Sequence, residues 1–171
     1  MTTTTYTPRP IDPKTLAQLR EADDAGHACQ AYQDDEGGAP LRCCLRLSRE
    51  GEQIALVSYA PLRRWAAETW AKPGAYDEQG PVFIHAQECD GPEGDGAAYP
   101  FSRAGALRTL RRYSAEGRIV GGRLLEIPET ATEGFDAAFA EAFADPEVAL
   151  VHVRAVEYGC FHFEVRRPEG R

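Results

Sequence analysis

A thiol, two imidazoles and a guanidinium lie close together in sequence near the end of this 171-residue chain. Residues 148–166 alternate apolar and polar side chains on either side of Gly159, which predicts the two strands of a β-hairpin. Directly paired residues share a face of the sheet. One face of this hairpin is therefore expected to carry five polar side chains: His152, Arg154, Cys160, His162 and Glu164.

The length of the hairpin loop decides how those side chains pair. An odd loop, for example Ala155–Gly159, collects the valines and phenylalanines on one core face, whereas an even loop mixes both faces. Burial of one face fixes the register strongly, so we favour the odd loop. Its pairs are Arg154 with Cys160, His152 with His162, and Leu150 with Glu164.

Three kinds of chemistry fit this polar face. Cys160 beside a histidine and an arginine could ionise and act as a nucleophile, with His152 or His162 as its base and Arg154 as an anion clamp. The same thiol and the two imidazoles could instead bind a divalent metal ion. The third interpretation is an ordinary solvated face of an antiparallel sheet, with no site at all.

Other cysteines and histidines form weaker patterns. His85 and Cys89 would lie on one face if the strand that contains His85 continued to Cys89. Cys43 and Cys44 are adjacent, so on a strand they would point to opposite faces, one into the core and the other beside Arg42 and Arg46. The five cysteines follow no disulfide or zinc-finger spacing.

Three helices are predicted around the strands. Asp12-Pro13 provides an N-cap and a first-turn proline for a helix that ends near Asp23. Residues 61–72 predict a short helix whose two tryptophans, Trp65 and Trp70, pack inward. Thr132 is the expected cap of a third helix, in which a stripe of phenylalanines at four-residue spacing predicts burial: Phe135, Phe139 and Phe143.

The remaining strands are predicted from alternation and turn residues. Residues 41–48 and 54–59 predict one hairpin, 82–87 a single strand, and 106–113 with 119–127 a second hairpin. The paired Gly121-Gly122 indicates a bulge or the close approach of a ligand. The expected fold class is α+β, with a mainly antiparallel sheet built from hairpins and flanked by the three helices.

We predict a single domain over residues 10–167, preceded by a disordered leader over 1–9 and followed by a polar tail over 168–171. The first residues lack the basic and apolar regions of a signal peptide, and no segment is apolar enough to span a membrane. These features favour a cytoplasmic protein with reduced thiols, either a monomer or a homodimer.

The net charge of −8 argues against nucleic acid as a partner, because such proteins neutralise phosphates with clustered cations. No phosphate-binding glycine loop, nucleophile elbow or paired-histidine zinc helix is present in the sequence. Nucleotide hydrolysis, α/β-hydrolase chemistry and zinc-protease chemistry are therefore poorly supported.

Several segments, in order along most of the chain, resemble a bacterial family catalogued as domain of unknown function 1203. They are Arg42-Cys-Cys-Leu-Arg46, Tyr76 with Gly80-Pro-Val-Phe-Ile-His85 and Cys89, Tyr99-Pro100, Leu110-Arg-Arg-Tyr113 with Gly117-Arg-Ile-Val120, and Val151-His152 with Gly159-Cys-Phe161. The family pattern has a second histidine and an asparagine where this chain has Arg154 and Ala155. The resemblance implies no reaction, and the substitution by arginine favours an anion over a metal.

The sequence thus predicts a binding protein or enzyme for a small, anionic molecule. Catalytic candidates are Cys160, His152 and His162, and binding candidates are Arg154, Arg42, Tyr76, His85 and Tyr113. No metal ligand is assigned and no cofactor is predicted, although a divalent metal is possible. The alternatives are a divalent-metal-binding module and a non-catalytic interaction domain, and the patterns do not decide whether the protein is an enzyme.

Overall fold

The computed structural model describes residues 5–94 and 98–169. Within these ranges the chain forms three α-helices and nine β-strands. The helices are α1 (Pro13–Leu19), α2 (Pro61–Thr69) and α3 (Ala131–Phe143). The strands are β1 (Tyr32–Gln33), β2 (Pro40–Leu41), β3 (Arg46–Leu47), β4 (Gln53–Tyr59), β5 (Gly80–His85), β6 (Leu107–Ser114), β7 (Ile119–Glu126), β8 (Val148–Ala155) and β9 (Phe161–Arg166).

The strands form two mostly antiparallel sheets. The first sheet has the order β1-β4-β5-β2-β3, and the second has the order β7-β6-β8-β9. One pair in the first sheet is parallel, because β2 lies beside β5 with Leu41 opposite Phe83. This architecture confirms the α+β class and the mainly antiparallel arrangement predicted from the alternating pattern.

Helix α3 packs on one face of the second sheet. Phe135 and Phe139 are fully buried there against Val153 and Phe163, so the phenylalanine stripe is core, as its spacing predicts. The predicted cap, Thr132, was wrong. The helix begins at Ala131 with Thr130 in the N-cap position, since the Thr130 carbonyl accepts the first helical hydrogen bond from Gly134 N.

The terminal hairpin is β8 with β9, and its main ladder has the parity of the predicted odd loop, because Val153 lies opposite Phe163. The predicted residue pairs were wrong. His152 lies opposite Glu164, two residues from the expected His162, and a bulge after Val153 places Phe161 opposite Arg154. The bulge changes the parity of the last pair, so the loop of residues 155–160 is even, while the faces of the main ladder stay as predicted.

The polar face of this hairpin is not a solvated surface. His152 is 1% exposed, and Glu164 is also buried. Phe161 lies edge-on to Tyr59 of the first sheet, with ring centroids 5.7 Å apart, and Leu150 joins a cluster with α2. The hairpin is therefore covered on both faces, which antiparallel alternation alone does not predict.

Residues 41–48 do not form the predicted strand. Residues 42–45 form a tight turn between the two-residue strands β2 and β3, and Leu45 N donates to Leu41 O at 2.8 Å. Leu45 has a φ of 58°, which breaks the extended backbone. Strand β4 consequently pairs with β1 and β5 rather than with residues 41–48.

The first two helices begin where proline and capping residues predict. Asp12 Oδ1 accepts a hydrogen bond from Thr15 N at 2.9 Å, although α1 ends at Leu19, before the predicted Asp23. In α2, Trp65 is buried but Trp70 is 90% exposed, so the inward orientation predicted for Trp70 was wrong. Trp70 is the left-handed C-cap residue, which turns its side chain away from the apolar face of the helix.

The described part of the N-terminal segment contacts the core. The Tyr6 ring stacks on Phe143 with centroids 5.8 Å apart, and Arg9 N donates to Glu164 O at 2.8 Å. Residues 1–4 of the predicted leader and 170–171 of the predicted tail lie outside the described residues. Among the residues that are described, no helix combines the length and hydrophobicity needed to cross a membrane.

Candidate functional site

The turn between β2 and β3 brings two cysteine side chains together. Cys43 and Cys44 are both buried, and their Sγ atoms lie 3.9 Å apart. The prediction that they point to opposite faces was wrong, because that rule holds for an extended strand and these residues are in a turn. Two adjacent thiols therefore face the same small volume.

His85, the last residue of β5, completes a cluster with this turn. Arg42 N donates to Phe83 O at 2.9 Å, which continues the parallel pairing of β2 and β5 and places the end of β5 beside the turn. His85 Nδ1 lies 3.4 Å from Cys43 Sγ and 3.8 Å from Cys44 Sγ. Cys89 follows four residues later, and the ligand atoms of all four residues lie within 4.8 Å of one another.

These separations fit a tetrahedral metal ion. An ion about 2.3 Å from sulfur and about 2.0 Å from nitrogen spaces its ligands by about 3.8 Å between two sulfurs and about 3.5 Å between sulfur and nitrogen. The observed separations of 3.9 Å between the sulfurs, and of 3.4 and 3.8 Å from the sulfurs to the nitrogen, match these values. The Cys/His cluster could therefore hold a metal with little movement of Cys43, Cys44 or His85.

A carboxylate orients the histidine. His85 Nε2 lies 2.8 Å from Glu52 Oε2, and Arg46 holds that carboxylate with two hydrogen bonds of 2.9 and 2.7 Å. The Arg46 guanidinium is the main reason that the pKa of Glu52 lies far below its ordinary value. An ionised Glu52 accepts a hydrogen bond from Nε2–H, and in that tautomer the lone pair of Nδ1 faces the sulfurs.

The two adjacent thiols differ in acidity. A hydrogen bond from Cys43 lowers the pKa of Cys44 to about 6, and the Arg46 amide and the nearby His85 and Arg46 add to the effect. Donation of that hydrogen bond and burial raise the pKa of Cys43. Cys43 Sγ also accepts a hydrogen bond from His85 N at 3.2 Å. Cys44 is thus the more acidic thiol of the pair, and a metal would displace the protons that remain on both sulfurs.

The cluster is reachable from outside the protein. A cavity of about 380 Å³ is lined by Cys44, His85 and Cys89. Acidic side chains surround the same cavity, and they are Glu52, Glu88, Asp90 and Glu93. Their negative charge raises the local concentration of cations.

The predicted catalytic residues of the terminal hairpin separate into two places. His152 is enclosed between Tyr113 and Phe161, with ring centroids 4.8 and 5.1 Å away, and its Nε2 lies 2.8 Å from Glu164 Oε1. His152 and the predicted binding residue Tyr113 are thus packed in the interior. Cys160 and His162 instead line a cavity of about 590 Å³ together with Arg42.

The other predicted binding residues are dispersed. Arg154 lines a smaller cavity beside Cys160, and its Nε donates to Gly159 O at 3.0 Å. Tyr76 is exposed in a short 3₁₀ turn, and His85 belongs to the cysteine cluster. Among residues 5–94 and 98–169, no group of three or more potential metal ligands includes Cys160, His152 or His162.

Comparison with known proteins places the chain in a family. The family described as "Protein of unknown function (DUF1203)" matches residues 38–167. The chain belongs to this family. The match confirms the resemblance found in the sequence, and it spans the whole cysteine cluster of this DUF1203 chain as well as the terminal hairpin. No curated protein and no solved structure matches the chain.

Sequence reasoning about this DUF1203 chain missed the role of the Cys43–Cys44 turn. The spacing of His85 and Cys89 was visible, but its partners lie some forty positions earlier in the chain. The residues that hold His85 in place, Glu52 and Arg46, were not identified as part of a site. The pairing of β5 with both β2 and β4 brings these segments together.

Proposed function

We propose that the protein binds a thiophilic transition-metal ion of the Zn²⁺ class through Cys43, Cys44, His85 and Cys89. The observation that carries this proposal is the match between the cluster's interatomic distances and a tetrahedral site with sulfur and nitrogen ligands. Three sulfurs and one imidazole select soft or borderline metals and disfavour Mg²⁺ and Ca²⁺, which prefer oxygen ligands.

The surroundings of the cluster support the same proposal. Histidines that bind metals usually donate their second ring N–H to a carboxylate, as the contact between His85 and Glu52 allows. The lowered pKa of Cys44 provides a thiolate near neutral pH. Four protein ligands fill a tetrahedral shell and leave no position for substrate, so the proposal is metal binding rather than metal-assisted catalysis.

Titration with Co²⁺ tests the proposal directly. Untagged, reduced protein is stripped with a chelator and then titrated with Co²⁺, whose absorption spectrum reports tetrahedral geometry and sulfur ligation. We expect one ion per chain, a sulfur-to-cobalt charge-transfer band, and displacement of Co²⁺ by a stoichiometric amount of Zn²⁺.

Single cysteine variants locate the ion. Cys44→Ser is expected to weaken binding strongly and to reduce the charge-transfer band, whereas the matched control Cys160→Ser should bind as the unaltered protein does. Cys160 Sγ donates to the Tyr158 carbonyl, at a distance of 3.8 Å, and Cys160 lies outside the cluster. The proposal is refuted if Co²⁺ gives no thiolate spectrum or if the spectrum depends on Cys160.

A further inference from the structure

A second cavity, of about 590 Å³, lies where the first sheet meets the loop between β8 and β9. Its volume is within the range of small-molecule sites, about 300–1,000 Å³. The turn residue Arg42, Arg108 of β6 and His162 of β9 all line it. None of these residues belongs to the cysteine cluster, so the inference below is independent of metal binding.

Arg42 is a buried cation without a carboxylate partner. It is 2% exposed, its Nε donates to Phe161 O at 2.7 Å, and its Nη1 donates to Pro40 O. No carboxylate of the described residues lies within ion-pair distance of it, although buried charges are normally paired. The cavity therefore contains a positive charge, that of Arg42, which is not paired with a carboxylate of the described residues.

Arg108 adds a second buried cation. Its guanidinium donates to Leu107 O at 2.7 Å and to Phe101 O at 2.8 Å, while its Nε has no partner among the described residues. Its nearest carboxylate, Glu157, is 3.6 Å away and is shared with the exposed Arg103 at the same distance. Three arginines thus face one partly exposed carboxylate around this cavity.

His162 is a buried polar group with an unused nitrogen. It is 5% exposed, and its Nδ1 makes no hydrogen bond to any residue in the described ranges. Burial, together with the charges of Arg42 and Arg108, lowers its pKa to about 3. His162 is therefore neutral at pH 7, and a neutral imidazole can donate one hydrogen bond without adding charge.

The rest of the wall is mostly apolar. Phe83, Pro81 and Ala155 line it, together with Leu56, which is 52% exposed although it is a leucine on a central strand. A cavity with an apolar wall and a few convergent polar groups is the usual form of a small-molecule site. The charge and the wall together specify a ligand that is anionic at one end and apolar at the other.

We propose that this cavity binds an amphipathic carboxylate, with its carboxylate group between Arg42, Arg108 and His162 and its apolar body against Leu56 and Phe83. A guanidinium matches a carboxylate with two parallel hydrogen bonds, and a buried pair of this kind is stronger than a neutral one. His162 Nδ1 and Arg108 Nε are two buried atoms of this site that have no hydrogen-bond partner among the described residues.

Calorimetric titration with three probes tests the proposal. Octanoate is an aliphatic carboxylate, and 2-naphthoate is an aromatic one. The third probe, 2-naphthamide, is the uncharged analogue of 2-naphthoate. We expect at least one carboxylate to bind with one-to-one stoichiometry, and the amide to bind at least tenfold more weakly than 2-naphthoate. Failure of both carboxylates to bind at about 1 mM, or equal binding of the amide and 2-naphthoate, refutes the proposal.

Variants place the ligand in this cavity. Arg108→Met keeps most of the side-chain volume, removes an incompletely paired charge, and should weaken carboxylate binding at least tenfold. Arg123→Met is the matched control, because Arg123 pairs with Glu141 on the surface and should leave binding unchanged. Leu56→Glu adds a carboxylate at an exposed wall position and should also abolish binding. Unchanged binding in both Arg108→Met and Leu56→Glu overturns the assignment.

Discussion

His152 and Glu164 form a buried pair between the two sheets. Glu164 accepts hydrogen bonds from His152 Nε2 and from Arg166 Nε, each at 2.8 Å. Burial alone raises the pKa of Glu164, but the hydrogen bonds and charges of these two partners outweigh it and lower the pKa below its ordinary value. This pair accounts for two members of the polar face of the terminal hairpin as buried, mutually hydrogen-bonded groups.

Removal of this carboxylate should destabilise the protein in a pH-dependent way. Glu164→Gln keeps the shape but loses the charge, so we expect unfolding free energy at pH 7 to fall by about 2 kcal/mol. A carboxyl group with a lowered folded pKa stabilises the fold fully above its unfolded pKa of about 4.3, and that contribution is lost as pH falls through the folded pKa.

Urea unfolding at a series of pH values measures this effect. The difference between the unaltered protein and Glu164→Gln should be constant above pH 6 and should shrink below about pH 4. Glu129→Gln, at an exposed position, is the control and should change stability little at any pH. A difference that grew as the pH fell would contradict the assignment of an ionised Glu164.

Two short departures from regular strand geometry determine which side chains the strands place at each position. The turn at residues 42–45 replaces a predicted strand, and the bulge after Val153 moves Phe161 toward the first sheet. The second predicted hairpin, β6 with β7, is present and has its own bulge after Arg112. A Cβ atom on Gly121 would lie 3.2 Å from Arg112 Cδ, whereas the close approach of a ligand to the paired glycines stays a prediction.

The second sheet offers a matched test of its inner and outer faces. Leu110 on β6 is buried in the cluster with α3, whereas Leu124 on β7 is largely exposed. We expect Leu110→Ala to reduce the unfolding free energy by about 2–5 kcal/mol, because it removes buried methyl groups and leaves a cavity. Leu124→Ala should change it by less than about 0.5 kcal/mol. Equal losses in chemical denaturation would contradict the assigned faces.

Periodicity predicted the elements better than it predicted the candidate sites. The phenylalanine stripe, the two later hairpins and the proline-started helices follow local patterns, and local patterns are what a single sequence records. The turn that contains Cys43 was hidden because alternating side chains also occur where the backbone turns. Glu52 and His85 meet through long-range strand pairing, for which the sequence contains no local signal.

At the scale of the molecule, charge is distributed unevenly. The chain has a net charge of −8, and acidic residues surround the cysteine cluster. The second cavity has the opposite character, with arginines in excess. Two adjacent residues belong to the two environments: Arg42 lines the second cavity, and Cys43 is part of the cysteine cluster. A net charge therefore describes neither candidate site.

A bound ion should stabilise the whole fold by mass action. A ligand that binds only the folded state at one hundred times its dissociation constant adds about 2.7 kcal/mol to the unfolding free energy. For a chain of this size we expect Zn²⁺ to raise the melting temperature by about 5–10 °C relative to chelator-treated protein.

Thermal unfolding of Cys44→Ser provides the control. Its melting temperature should be lower than that of the metal-loaded protein and should not respond to Zn²⁺, whereas Cys29→Ser should respond fully because Cys29 lies outside the cluster. An equal response of Cys44→Ser and the unaltered protein would show that the ion binds elsewhere.

The parallel pairing of β2 with β5 has a consequence for the order of folding and metal uptake. Many small zinc domains are unfolded without their ion, so most of the binding free energy is consumed in ordering the chain. Here backbone hydrogen bonds and a core of leucine, isoleucine and valine already hold the turn beside His85. Ion capture would then cost little conformational entropy, and the apoprotein should remain a folded acceptor that gains or loses metal without unfolding.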